Sequence, residues 1–334
     1  MEINRSFNTV PLLRPDNTSP VQYNRATKPM CTDSASFTSH VQRESIKFGL
    51  KCLVQQTAFN REAQTKKFVS DYIYENFGHK NKINIVSGGC STGEEAVTYS
   101  MYLYNIKNKV NILGIDLGKK AIKQAKSRRY VFEIPRGYYD FEKETGNSTP
   151  YTDLYLIGKG NQGLTPNQQM FKALFNEFFE PTGEKIRTPW DEVMFNLMKA
   201  RNGEKPLELD RKAYRLKDGM ADNCSFVRGD IQDIDKILNG EKVDVISFSN
   251  ALYHLTTYFE NGYDRIPKRY AEQTTESLMT KFKNCLNEKG IVVFGEDEGP
   301  QIGDSELIPK IMTKLGFTPM NKTAEHEANV WRKG

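Results

Sequence analysis

Between residues 82 and 315 short apolar runs alternate with stretches of helical period, and this alternation constrains the fold more than any other feature of the chain. The runs 83–86, 112–115, 226–227, 243–248 and 291–294 are built of Val, Ile, Leu and Phe with few polar residues, the pattern of strands buried on both faces. Segments 92–106, 119–129, 234–238, 274–286 and 305–315 read as the helices between and after them. Parallel neighbours cannot be joined by a tight turn, so a βαβα order folds as a parallel sheet with helices on both faces. A Rossmann-like, doubly wound, mostly parallel α/β sheet is therefore expected. Residues 138–223 interrupt the alternation but hold Phe171, Leu174, Phe175, Phe178, Phe179, Trp190 and Met194, enough apolar surface for a packed insertion.

The flanks read differently. Residues 1–42 are rich in Asn, Ser, Thr, Pro and Arg without a sustained apolar period, so a disordered polar arm is expected there. Over 43–80 the sets Ile46, Leu50, Leu53, Val54 and Phe68, Ile73, Phe77 follow helical spacing. They predict N-terminal helices bordering the site, ahead of a main domain over 81–334. Lys+Arg 47 against Asp+Glu 42 leaves a net charge of +5, too small a bias at 334 residues to call for a nucleic-acid partner. Five scattered cysteines and four scattered histidines form no metal-binding spacing, so no metal is expected. The polar start and the absence of a long apolar run predict a cytoplasmic protein with no membrane insertion.

After the first apolar run comes Ser87-Gly88-Gly89-Cys90-Ser91-Thr92-Gly93-Glu94-Glu95, a small-residue turn opening into a helix. Glu94 and Glu95 stand where a phosphate loop needs Lys and Ser/Thr, and they would repel phosphate. The glycines also miss the G-x-G-x-x-G spacing of a dinucleotide turn. S-adenosylmethionine has no phosphate and carries an ammonium and a sulfonium, so acidic residues beside the turn suit it. Acidic residues in a first helical turn also simply complement the helix dipole. Asp116, at the end of the second run, is placed to accept bonds from ribose hydroxyls and tips the balance toward the cofactor.

These residues resemble the CheR-type chemotaxis-receptor methyltransferases, class I S-adenosylmethionine-dependent enzymes that esterify protein glutamates. Gly89-Cys90-Ser91-Thr92-Gly93-Glu94-Glu95 is similar to that family's A-x-S-T-G-E-E-P turn, with Ala96 in place of the proline. Gln55-Gln56-Thr57-Ala58-Phe59-Asn60-Arg61-Glu62 is similar to its N-x-T-x-F-F-R-E segment, and Ile115-Asp116-Leu117 to the segment carrying its ribose-binding aspartate. Phe226-Val227-Arg228-Gly229-Asp230-Ile231 is similar to the strand end that packs on adenine, and Ile246-Ser247-Phe248-Ser249-Asn250 to a strand ending in Arg-Asn, with Ser249 replacing the arginine. Leu286 to Gly295 is similar to the family's L-K-P-x-G-x-L-x-x-G strand.

The resemblance implies binding of S-adenosylmethionine and its product S-adenosylhomocysteine by Gln55, Thr57, Arg61, Gly89, Gly93, Glu94, Glu95, Asp116, Asp230, Ile231, Ser249 and Asn250. Thr57 borders the methyl, Arg61 orients the acceptor carboxylate or organises the cofactor pocket, and Glu94 or Glu95, of which the resemblance favours Glu95, holds the cofactor's amino group. It also implies a receptor-like protein as methyl acceptor. His254 stands where the family has a tyrosine, and Asn250-Ala251-Leu252-Tyr253-His254-Leu255 also resembles a small-molecule methyltransferase stretch in which the histidine is a base. A small-molecule O- or N-methyltransferase using His254 is thus a second reading. A catalytically silent cofactor-binding scaffold is a third, suggested by Ser249 and by the tail Glu296-Asp297-Glu298.

Overall fold

A computed structural model of the chain describes residues 59–60, 62–135, 166–184, 209–249, 251–252, 255, 268–295, 304–321 and 329–334. The expected arm at 1–42 and the helix expected around 46–54 lie outside these residues.

Helix α1 (Ala63–Phe77) leads into β1 (Ile83–Gly88), α2 (Glu94–Tyr102), a 3-10 segment (Tyr104–Lys109), β2 (Val110–Asp116) and α3 (Lys119–Ser127). A second group follows: β3 (Arg129–Pro135), α4 (Pro166–Phe178), β4 (Phe179–Pro181) and β5 (Leu209–Leu216). The chain then returns through β6 (Cys224–Arg228), α5 (Ile234–Leu238), β7 (Val243–Phe248), α6 (Lys268–Cys285), β8 (Leu286–Phe294), α7 (Leu307–Lys314), β9 (Phe317–Pro319) and β10 (Val330–Lys333).

The main sheet has seven strands in the order β6-β2-β1-β7-β8-β10-β9. All pairings from β6 to β8 are parallel, and β10 runs antiparallel to both of its neighbours. This is the doubly wound, mostly parallel arrangement expected. Neighbouring residues of each central strand face opposite sides, and both sides are apolar. Ile85, Ile112, Val245 and Val293 pack under α1, α2 and α3, against Val69, Ile73, Ala96, Tyr99 and Ile122. Val86, Leu113, Ile246 and Val292 pack under α5, α6 and α7, against Ile234, Met279, Phe282 and Ile311.

The helix expected over 92–106 divides: α2 closes at Leu103, and a 3-10 segment with a non-helical Ile106 brings the chain round to β2. The strand at 286–294 begins five residues earlier than its apolar run, because Leu286 pairs with Val243 across a register shift. The second group forms a separate three-stranded antiparallel sheet, β3-β5-β4, beginning at Arg129 and closing at Leu216. The four phenylalanines expected to pack an insertion, Phe171, Phe175, Phe178 and Phe179, are buried in one cluster with Phe59, Val97, Met101 and Tyr130. Trp190 and Met194 lie outside the described residues.

Strand order sets the position of the site. The chain winds outward from β1 through β2 to β6, then resumes on the other side of β1 with β7. The reversal leaves a crevice beyond the carboxyl ends of β1 and β7, where ligands of open α/β sheets bind. Gly89 follows β1 on one side of it and Ser249 follows β7 on the other.

Candidate cofactor site

The turn after β1 is held by backbone geometry that side chains would obstruct. Gly89 has φ +64, and a Cβ there would lie 2.8 Å from Ala251. Gly93 has φ +95, and a Cβ would lie 2.9 Å from the Phe226 ring. Both positions need glycine. Ser91, also left-handed at φ 48, donates its N–H to Asp116 Oδ2 at 2.8 Å, and Gly118 donates its N–H to Oδ1 at 2.6 Å. Asp116 thereby ties the turn to the end of β2. A carboxylate has about four acceptor positions, and these two bonds leave one on each oxygen, a spacing suited to a pair of ribose hydroxyls. Ser91 Oγ is buried without a hydrogen-bond partner among the described residues, which leaves a donor at the turn for a ligand.

The two glutamates that follow differ in environment. Glu94 receives Thr92 Oγ1, 2.6 Å from both carboxyl oxygens. Burial raises its pKa to about 7, against the smaller opposing effect of the threonine bond. Glu95 sits in a network of charge and hydroxyls. Lys66 Nζ lies 2.6 Å from Oε1, Ser247 Oγ donates to the same oxygen at 2.9 Å, and Ser87 Oγ donates to Oε2 at 2.6 Å. Burial works to raise its pKa, but the Lys66 charge and these bonds reverse the shift and hold it below the usual carboxylate range. Three donors on four acceptor positions leave one, on Oε2, for a further donor such as an ammonium.

Asp230 caps the short 3-10 turn Ile231–Asp233 by accepting the Gln232 N–H at 2.9 Å, and burial pushes its carboxyl upward. Ile231 is buried in the α5–α7 core and would lie 2.8 Å from a Cβ on Gly88, so it forms an apolar wall directly behind the turn. Ser249 is partly buried and its Oγ lies 3.4 Å from the Lys66 ammonium. Gly89, Gly93, Glu94 and Glu95 thus lie on the turn and helix after β1, Asp116 ends β2, Asp230 and Ile231 follow β6, and Ser249 follows β7. Gln55, Thr57, Arg61, Asn250 and His254 lie outside the described residues.

The residues on either side of Arg61 are nevertheless firmly placed. Phe59 is 3 % exposed and meets the rings of Tyr130 and Phe179 edge-on, with centroids at 4.9 and 5.2 Å. Asn60 is buried, donates its N–H to Thr98 Oγ1 at 3.2 Å and accepts from Tyr102 OH at 2.7 Å. Both partners are on α2, the helix that begins with Glu94 and Glu95. Asn60 and Glu62 both have φ 57, so the chain enters α1 through backbone that costs on the order of 1–3 kcal/mol per residue and persists only where its surroundings enforce it.

Sequence reasoning missed Lys66, Ser87, Ser247 and Tyr99. The signals were there: Lys66 lies on the buried stripe of α1 with Val69, Ile73 and Phe77, and the serines interrupt otherwise apolar strands. Among the described residues no group of three His, Cys, Asp or Glu could hold a metal, and no helix is long and apolar enough to cross a membrane.

Residues 55–137 match the family model described as CheR methyltransferase, SAM binding domain. The match spans the Thr57–Arg61 segment, the glycine turn and Asp116, the first three motifs on which the resemblance rests. No curated protein matches the chain. Solved structures similar to it include the rRNA methyltransferase aviRa from Streptomyces viridochromogenes, at 10% identity over 84% of this chain and 87% of that one with a TM-score of 0.39. Another is the CurJ carbon methyltransferase, at 12% identity over 80% of this chain and 54% of that one with a TM-score of 0.38. What residues 55–137 are similar to is therefore the SAM-binding domain of a methyltransferase family.

Proposed function

We propose that this protein transfers the methyl group of S-adenosylmethionine to a carboxylate of a protein substrate, forming a glutamate methyl ester. The observation that carries this reading is the docking of Phe59 and Asn60 on α2, which ties the arginine segment to the helix bearing Glu94 and Glu95.

When bound, the cofactor supplies a methyl group on a positively charged sulfur. In this reading Asp116 receives its ribose hydroxyls, Ile231 backs its adenine, Glu95 receives its ammonium, and the glycines let the turn approach closely. A glutamate acceptor with a pKa near 4.3 is already ionised at neutral pH, so the protein need supply alignment and exclusion of water, with no proton to remove. Arg61 grips the acceptor carboxylate, its planar fork fixing both oxygens. A cation close to the sulfonium also favours the transition state, in which the sulfur is losing its charge.

The test is incubation of the protein and a cell lysate with methyl-labelled S-adenosylmethionine, then mild alkali on the protein fraction. Label released as volatile methanol supports a carboxylate ester. Label that survives alkali, or that appears only in small molecules, would refute the proposal and favour nitrogen- or carbon-directed transfer or the His254 reading.

A further inference from the structure

Lys66 occupies a position where the pattern of α1 calls for an aliphatic residue, and its side chain is only 3 % exposed. Its ammonium is held by Glu95 Oε1 at 2.6 Å, by Ser249 Oγ at 3.4 Å and over the Tyr99 ring at 4.9 Å from the centroid. Tyr99 OH in turn donates to Ser247 Oγ at 3.2 Å, and Ser247 donates to Glu95. The ammonium therefore joins α1, α2 and the end of β7. Burial of a lone lysine favours its neutral form, and burial of a lone glutamate does the same. Each keeps its charge because the other is there.

Ser249 gives the pair its meaning. It stands where the strand motif it resembles carries an arginine, and among the described residues a cation from another element, Lys66 of α1, lies 3.4 Å from its Oγ. We propose that Lys66 is a positioning residue for the amino-acid end of the cofactor. It supplies from α1 the cation absent at position 249, and it holds the Glu95 carboxylate ionised with one acceptor position on Oε2 free for the cofactor's ammonium. This rests on the SAM-binding reading above. Among the described residues the titratable groups around Glu95 are Lys66 and Glu62 at the start of α1, Cys90 in the turn and Tyr99 on its own helix, while β1 and β7 contribute serine hydroxyls.

The test compares the wild type with Lys66→Met, Ser249→Arg and the double variant Lys66→Met/Ser249→Arg. It uses calorimetric titration with S-adenosylhomocysteine from pH 5.5 to 7.5 and thermal melting without ligand. Loss of one charge-assisted contact predicts that Lys66→Met weakens binding by about tenfold or more. Its affinity should also fall further toward pH 5.5, as an unpaired Glu95 takes up a proton, whereas a purely structural lysine would give no such slope. The double variant should recover affinity to within a few-fold, flatten the pH profile and regain the melting temperature lost by Lys66→Met. Ser249→Arg alone should weaken binding by placing two cations on one carboxylate. If Lys66→Met fails to fold, the double variant decides: folded and binding, it supports the proposal, and unfolded or weakly binding, it overturns it. Unchanged or tighter binding by Lys66→Met overturns it too, the latter by making Lys66 a competitor for the ammonium position. No binding by the wild type would sink the SAM-binding reading instead, and the ligand-free melting series would still report whether an arginine at 249 replaces Lys66.

Discussion

Replacing Glu94 by Gln should change how stability depends on pH, by an amount the site fixes. The folded protein holds the Glu94 carboxyl at a pKa of about 7, through burial, against 4.5 for the ordinary side chain. Below about pH 4.5 both folded and unfolded chains carry the neutral acid, and burial exacts no charge penalty. As pH rises toward 7 the unfolded chain ionises this group while the folded chain keeps the proton. The stabilising contribution is therefore fully present below the unfolded pKa and lost as pH rises through the folded one. Integrated from pH 5 to pH 8, the loss comes to about 2.5 kcal/mol. Gln stays neutral throughout and can still accept from Thr92 Oγ1. Relative to wild type, Glu94→Gln should gain about 2.5 kcal/mol between pH 5 and pH 8 in urea unfolding followed by circular dichroism. Taking the difference between variant and wild type cancels every other titrating group. Parallel stability curves would refute the argument and mean that water reaches the Glu94 carboxyl. The same variant separates the two acids in binding. If Glu95 receives the ammonium, Glu94→Gln keeps its affinity for S-adenosylhomocysteine, and wild-type affinity is flat from pH 5.5 to 7.5.

Asp116→Ala removes the acceptor for the Ser91 and Gly118 N–H groups together with the proposed ribose contact, so it should cost about 2–3 kcal/mol of stability and weaken S-adenosylhomocysteine at least about tenfold by calorimetry. Asn, which keeps one acceptor oxygen, should fall between. Phe59→Ala vacates a buried site against Tyr130 and Phe179 and should cost about 3–5 kcal/mol. It should also lower single-turnover methyl transfer more than cofactor affinity, because it loosens the segment leading to Arg61; equal losses in both would count against that role.

Much of the main sheet was legible because strands buried on both faces leave uninterrupted apolar runs. Val243–Phe248 and Ile234–Leu238 fall where the residues predict them. The second sheet was not legible. β3 carries Arg129 and Glu133 among its apolar residues, and its partner β5 lies about eighty residues away, so no local period announces their pairing. The glycine turn and Asp116 could be read because backbone geometry and strand ends restrict residue type. The Lys66–Glu95 pair went unread although Lys66 falls on the apolar stripe of α1, since a lysine at a helix start ordinarily signals a solvated face and its partner lies on another helix.

The cluster that buries Phe59 mixes material from three stretches of chain: the residues before Arg61, the inner face of α2 through Val97 and Met101, and the second sheet with α4 through Tyr130, Phe171, Phe175 and Phe179. The second sheet is therefore no detachable module. A chimera exchanging it for that of another protein would carry a foreign surface against Phe59 and against the later turns of the helix that starts at Glu94. To exchange the surface around Arg61 while keeping the fold, the three stretches would have to be transplanted together, and on the proposed function a directed-evolution library aimed at new acceptors should randomise across all three at once.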